Sequence, residues 1–385
     1  MMKRIDITLM CLTALSIVLS CHKGDAESAV HTPALPDHAA PLVLASPHAE
    51  GKQTKGAGEL SLVSLRGRGF GLFAWWAPQG NYFDGMAVGK EWLFNSPVTY
   101  SSTDEGWDKW TCTPEAYWPI GCSLSFFAYA PYMNNDGPML VFPSDRTLGM
   151  PSGVFTQATA VDEQEDFCLS APALDRSKAQ GDVPVVFNHA LTKVLFYFNA
   201  GGGIYEGEEH QFRVKSIELE GLVGANTFYY GGTNGFRWAT LPRSDLSTRT
   251  AGYALSTADG TLSDVPLVWE KNVLAEEGLN RFTCVNGEEG GILYLLPQPV
   301  TSMAYATVTF AAYKFDEGSG EWVEDLDIPY EPVRVALPET TVWEAGRTVC
   351  YSASVDVTYY IDLTFDVTLA DWEGNIIEDI DFNKS

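Results

Sequence analysis

Short runs along the chain either alternate apolar with polar side chains or crowd β-branched and aromatic residues together: Leu72 to Trp76, Leu124 to Tyr129, Lys193 to Asn199, Val214 to Leu219, Tyr305 to Tyr313 and Val333 to Leu337. A period of two sends successive side chains to opposite faces of a sheet, so these runs predict strands. Asn134-Asn135-Asp136-Gly137, Gly231-Gly232-Thr233-Asn234-Gly235 and Asp316-Glu317-Gly318-Ser319-Gly320 punctuate them as hairpin and sandwich loops do. Apolar residues are not sustained at three-four spacing, and no long amphipathic helix is expected. The predicted class is therefore all-β, built as sandwiches.

From Glu59 onward the chain holds roughly 325 residues, more than one hydrophobic core usually serves, and two domains are expected. Gly201-Gly202-Gly203 and the acidic stretch Glu206 to Glu209 interrupt the strand pattern. They place the boundary between an N-terminal domain, 59–203, and a C-terminal domain, 204–385; the alternative is a long hairpin within one large sandwich. The most regular alternation is the last. Val355, Val357, Tyr359, Ile361, Leu363, Phe365, Val367 and Leu369 are apolar, with Asp and Thr at most positions between them. An unbroken strand of this length would span about 50 Å, far beyond a usual strand. It either bends into two strands or leaves its own domain.

The first residues change the picture. Lys3 and Arg4 precede an apolar run, Ile7 to Leu19, too short to span a membrane, which reads as a signal peptide over 1–20. Val18-Leu19-Ser20-Cys21 resembles the lipobox of bacterial lipoproteins, which makes Cys21 the lipidated residue. His22 to Glu27, a lysine near acids, resembles the signal that sends some such proteins to the outer leaflet of the outer membrane. Residues 28–58, rich in Ala, Pro, His, Gly and Ser, bury too little surface to offset their ordering entropy, and 21–58 reads as a disordered tether or pro-segment.

Composition removes further classes. The formal charge of −26 repels phosphate backbones, which argues against nucleic-acid binding. With Cys11 in the signal peptide and Cys21 lipidated, Cys112, Cys122, Cys168, Cys284 and Cys350 remain. A Cys112–Cys122 bridge is sterically possible across a hairpin, but no C-x-x-C spacing points to zinc or redox chemistry, and buried thiols are expected for at least three. There is no G-x-S-x-G elbow, H-E-x-x-H, P-loop or EF-hand, and Gly67-Arg68-Gly69-Phe70-Gly71 lacks dinucleotide spacing. No catalytic residue, metal site or cofactor is expected. His189, with no ligand type at metal spacing beside it, reads as a hydrogen-bonded structural histidine. Trp118, Trp343 and Trp372 adjoin strands and read as core, although surface tryptophans would allow stacking on sugars. Glu59 to Leu65 reads as a strand, and Arg66-Gly67-Arg68-Gly69 after it as an open, protease-accessible loop.

Several segments carry a resemblance. Val98 with Trp118-Pro119, then Ser125-Phe126-Phe127-Ala128-Tyr129-Ala130-Pro131-Tyr132, then Val185-Val186-Phe187-Asn188-His189-Ala190-Leu191-Thr192-Lys193-Val194 are similar to signature segments of the fimbrillins of Gram-negative anaerobes. Leu296-Pro297-Gln298, Trp343-Glu344-Ala345-Gly346-Arg347 and Trp372 continue the match in order, from about residue 70 to residue 372. The resemblance implies two tandem transthyretin-like β-sandwich domains and no enzyme activity. It also implies a lipoprotein precursor trimmed at the cell surface by an arginine-specific protease, at Arg66 or Arg68. Loss of the first strand, with Leu60, Leu62 and Leu65, would open a groove. A strand from another fimbrial subunit would fill it, the donor residues being Ile361, Leu363, Phe365, Val367 and Leu369. The partners implied are other subunits of a fimbrium and, for an accessory adhesin, host or bacterial surface ligands. The competing expectation is a surface glycan-binding lipoprotein of a polysaccharide-uptake system.

Overall fold

The computed structural model describes residues 60–78, 90–102, 108–134, 137, 139–143, 151–201, 210–230, 235–245, 247–287, 291–357 and 363–372. Cys21, with the rest of the leader, and Ile361 lie outside them. One short helix, α1 (Leu62–Arg68), precedes four sheets. The first sheet contains β1 (Phe70–Pro78), β2 (Lys90–Ser102), β3 (Asp108–Cys112), β4 (Cys122–Ala130), β7 (Cys168–Ser170), β8 (Ala173–Arg176) and β9 (Phe187–His189), in the order β3-β2-β1-β4-β7-β9 with β8 also against β4. The second has β5 (Leu140–Val141), β6 (Ser152–Thr156), β12 (Ala225–Tyr230) and β13 (Phe236–Trp238), ordered β13-β12-β6-β5.

The third sheet is ordered β15-β10-β21-β22: β15 (Val268–Trp269), β10 (Thr192–Gly201), β21 (Arg347–Asp356) and β22 (Asp366–Asp371), with β16 (Thr283–Cys284) and β17 (Leu293–Leu295) also on β10. The fourth is ordered β14-β11-β18-β19: β14 (Ala251–Ser256), β11 (His210–Leu222), β18 (Tyr305–Asp316) and β19 (Glu321–Glu324), with β20 (Val333–Ala336) on β18. All six runs predicted as strands fall on strands. β10 is buried along both faces and runs parallel to β21 over ten pairs, from Thr192 opposite Arg347 to Gly201 opposite Asp356. That explains why Val194 to Phe198 is continuously apolar, whereas β11, with one solvated face, alternates.

Three cores fill the layers. One lies between the third and fourth sheets, with Phe196, Phe198, Phe310, Trp343 and Tyr351. A second joins the inner face of the first sheet (Phe73, Trp75, Phe127, Tyr129) to the second sheet (Phe155, Phe228) and to the back of the third (Tyr294, Cys350). The third covers the outer face of the first sheet, with Leu72, Val98, Trp110 and Phe126.

Three expectations are corrected. Glu59 to Leu65 is not a strand from Leu62 onward but the start of α1. Ser61 and Ser64 form a reciprocal cap: Ser61 Oγ accepts from the Ser64 N–H at 3.2 Å, and Ser64 Oγ from the Ser61 N–H at 2.7 Å. Leu60 and Leu62 sit two apart, as in a strand, but Leu62 and Leu65 sit three apart, which suits a helix. Arg66 and Arg68 accordingly stand in the last turn of α1 rather than in an open loop. The sheets also do not divide at residue 203: β10, before it, joins strands near the C-terminus, while β12 and β13, after it, join β6.

The described parts of the long C-terminal alternation fall on two strands, not one. β22 returns antiparallel along β21, from Ser352 opposite Asp366 to Arg347 opposite Asp371. None of the five described cysteines is bridged; Cys112, Cys168 and Cys350 are buried, and Cys122 is unpaired with Cys112.

Candidate functional site

The contacts that hold the segment ahead of β1 can be traced residue by residue. Leu60 and Leu65 are buried in the core on the outer face of the first sheet, Leu62 is half-buried, and Val63 is 66% exposed. The Arg66 guanidinium lies 4.7 Å from the centre of the Tyr100 ring, and Arg68 pairs with Glu165. Gly69 ends the helix: its N–H donates to the Leu65 carbonyl at 2.7 Å, and its φ of 68° suits glycine. A Cβ there would lie 2.3 Å from the Val98 carbonyl oxygen of β2. The helix thus enters β1 at a point where the chain passes against its neighbour's backbone.

Asp166, immediately before β7, takes the Leu60 N–H on Oδ2 at 2.8 Å. Its carboxylate also meets His189 Nδ1, at 3.0 Å from Oδ1 and 2.9 Å from Oδ2. Cys168 and His189 are a cross-strand pair of β7 and β9, and the Cys168 sulfur lies 3.5 Å from His189 Nδ1 and 3.7 Å from Asp166 Oδ1. All three side chains are buried. The Trp372 ring stacks on His189 at 4.0 Å and 6° between planes. One polar cluster therefore touches both the segment before α1 and the residue after β22.

The sequence reading of His189 as hydrogen-bonded holds, but it missed the acid and thiol, because the residues beside His189 in sequence carry neither. The signal available was Asp166-x-Cys168: two positions apart on a strand point the same way, and the β7–β9 pairing brings that face to the histidine.

The described residues expected to form a donor strand, Leu363, Phe365, Val367 and Leu369, lie on or beside β22. Leu363 and Phe365 are buried in the core between the third and fourth sheets, Val367 packs partly against it, and Leu369 is 48% exposed. Phe365 lies 5.5 Å from Tyr351 and 5.7 Å from Phe196, ring centre to ring centre. In this state the stretch is folded on its own subunit. β22 ends the order of the third sheet and pairs with β21 alone among the described strands, so its outer edge is a place where another strand can add. Trp118, Trp343 and Trp372 are interior, and these indoles present no stacking platform for a sugar.

The fold has relatives among solved structures. A fimbrial protein of Bacteroides vulgatus matches with a TM-score of 0.63 at 17% identity, covering 86% of this chain and 99% of that one, a likeness of fold. A protein of Bacteroides uniformis ascribed to cell adhesion gives a TM-score of 0.45 at 15% identity over 86% and 98% of the two chains. No curated protein matches the sequence. The fimbrillin-like family matches residues 67–372, which takes in every sheet of the fold, and the chain belongs to that family.

Proposed function

We propose that this protein is a fimbrial subunit exported as a lipoprotein on Cys21, trimmed at Arg66 or Arg68 and polymerised by strand exchange. Family membership supports a fimbrial, cell-surface role; anchoring in the outer membrane, trimming and exchange are parts of this proposal. The observation that carries it is α1. Burying Leu60 and Leu65 contributes about 1.5–3 kcal/mol each, and the Leu60–Asp166 hydrogen bond, the Arg68–Glu165 ion pair and the Arg66–Tyr100 ring contact are among the polar contacts that add to it. A two-turn helix carrying Gly67 is not stable alone, so it can unwind into the extended form a protease requires while the sheets stay folded.

Once α1 leaves, the core that holds Phe70, Leu72, Val98, Trp110 and Phe126 loses Leu60 and Leu65. A strand from a second subunit would restore it, with β22 and its flanks as the donor. The partners are other fimbrial subunits and an arginine-specific protease acting on the anchored precursor. Digestion of the folded chain with such a protease, N-terminal sequencing and a denaturing gel run without boiling test the reading. The expected result is a new N-terminus after Arg66 or Arg68 and a ladder of polymers; normal assembly by the Arg66→Ala, Arg68→Ala double variant overturns it. Fatty-acid labelling lost in Cys21→Ala tests the anchor.

A further inference from the structure

Asp166, Cys168 and His189 bring a carboxylate, a thiol and an imidazole together at one buried point, and we propose that they bind a zinc ion. The site is tested on the untrimmed chain, which keeps Leu60 and its bond to Asp166, so the outcome is separate from that of trimming or polymerisation.

The distances lie within a few tenths of an ångström of those such an ion needs. Tetrahedral zinc, with bonds of about 2.0–2.1 Å to nitrogen and oxygen and about 2.3 Å to sulfur, holds its ligand atoms roughly 3.3–3.6 Å apart. Here the sulfur lies 3.5 Å from Nδ1 and 3.7 Å from Oδ1, and Nδ1 lies 3.0 Å from Oδ1. The charges fit as well. Cys168 binds as thiolate after giving its proton to solvent, Asp166 is ionised and His189 is neutral with its ring proton on Nε2, so a divalent cation leaves the set neutral. That matters where Asp166 and Cys168 are 0% exposed and His189 4%, because an uncompensated charge is costly there.

The surroundings are those of a metal ligand set. With Oδ1 on the ion, Oδ2 keeps the Leu60 N–H, which fixes the carboxylate. The stacked Trp372 indole holds the imidazole plane. β7 and β9 are paired strands of the first sheet, so Cys168 and His189 are presented from the sheet rather than from loops. Three protein ligands leave the fourth position of the tetrahedron to water or another small donor.

The full chain, produced with zinc in the medium and purified without chelators, should retain about one zinc per molecule by atomic emission. Refolded with cobalt(II), it should show thiolate-to-cobalt charge-transfer absorption in the near ultraviolet and tetrahedral bands in the visible. Cys168→Ser should abolish the charge-transfer band, Cys112→Ser should leave it intact, and His189→Ala should weaken metal retention at least about tenfold. A folded wild-type chain without retained zinc and without the band, or a band that persists in Cys168→Ser, overturns the site. Should Cys168→Ser fail to refold, the wild-type chain decides. Its melting temperature should rise with zinc and fall with chelator, and indifference to both refutes the proposal.

Discussion

Phe365→Ala separates a strand that belongs to its own subunit from one held in reserve for another. The side chain is 5% exposed, and its ring lies among Tyr351, Phe196 and Phe198, with centres 5.5, 5.7 and 6.0 Å away. Those neighbours sit on β21 and β10, which are locked together by ten parallel pairs, so the pocket has little freedom to collapse around a missing ring. Truncation should cost about 3–5 kcal/mol. For a unit of this size each kcal/mol lowers the melting temperature by about 2–4 °C, and the monomer should melt roughly 6–20 °C lower. Thr364→Ala and Thr368→Ala, on the exposed face, should change stability by no more than about 0.5 kcal/mol. Leu369→Ala should leave monomer melting nearly unchanged as well, because Leu369 is already half in solvent. If β22 is a donor, polymer yield should nevertheless fall in Leu369→Ala, and scanning calorimetry beside an unboiled gel reads both quantities. Unchanged melting in Phe365→Ala would refute the assignment of this ring to the sandwich core, and equal losses in Phe365→Ala and Thr368→Ala would refute the facing of β22.

Gly69→Ala should destabilise the chain by about 1–3 kcal/mol through its positive φ alone, with a further penalty from the collision with the Val98 carbonyl, and should speed cleavage in α1. Gly67→Ala should do the reverse, since nothing lies within 4 Å of an added Cβ and alanine favours the helix by about 0.5–1 kcal/mol; equal digestion rates for the two variants would contradict the description of α1. Burial pushes the Cys112 and Cys350 thiols up to about 11. At pH 8 about one in a thousand is then thiolate, so iodoacetamide should label half-exposed Cys122 first and reach Cys112 and Cys350 only after denaturation or as the pH rises towards 11, as peptide mass spectrometry would show.

The strands were legible because half-buried sheets impose alternation on residues such as Val214 to Leu219, and the fully buried β10 imposes a run of large apolar ones. Pairing was not legible. Nothing local in Val194 to Phe198 says that its neighbour is Val349 to Ala353, since parallel partners are chosen by connections and shared cores far along the chain. The error at Leu62 to Leu65 has a local cause: a leucine spacing compatible with both periods, decided by two serine hydroxyls that cap backbone N–H groups. Of the candidate site, the arginines and the C-terminal alternation could be read directly. The Asp166, Cys168 and His189 cluster could not, because it exists only once β7 and β9 are paired.

The crossed sheet pairing has a consequence for the order in which the chain can be made and folded. β6, at residues 152–156, must wait for β12 at 225–230, and β10, at 192–201, must wait for β21 at 347–356. A chain emerging from its N-terminus therefore carries Phe127, Tyr129 and Phe155 without their full cover until almost the last strand has appeared. Such long-range pairing folds slowly and leaves apolar surface at risk of aggregation meanwhile. A fragment ending at residue 203 would hold β10 without β21 and β6 without β12, and it should not fold as an independent half. Synthesis and folding are thus separated in time, and under the export proposed above a chain that must stay unfolded would gain that delay from its own topology.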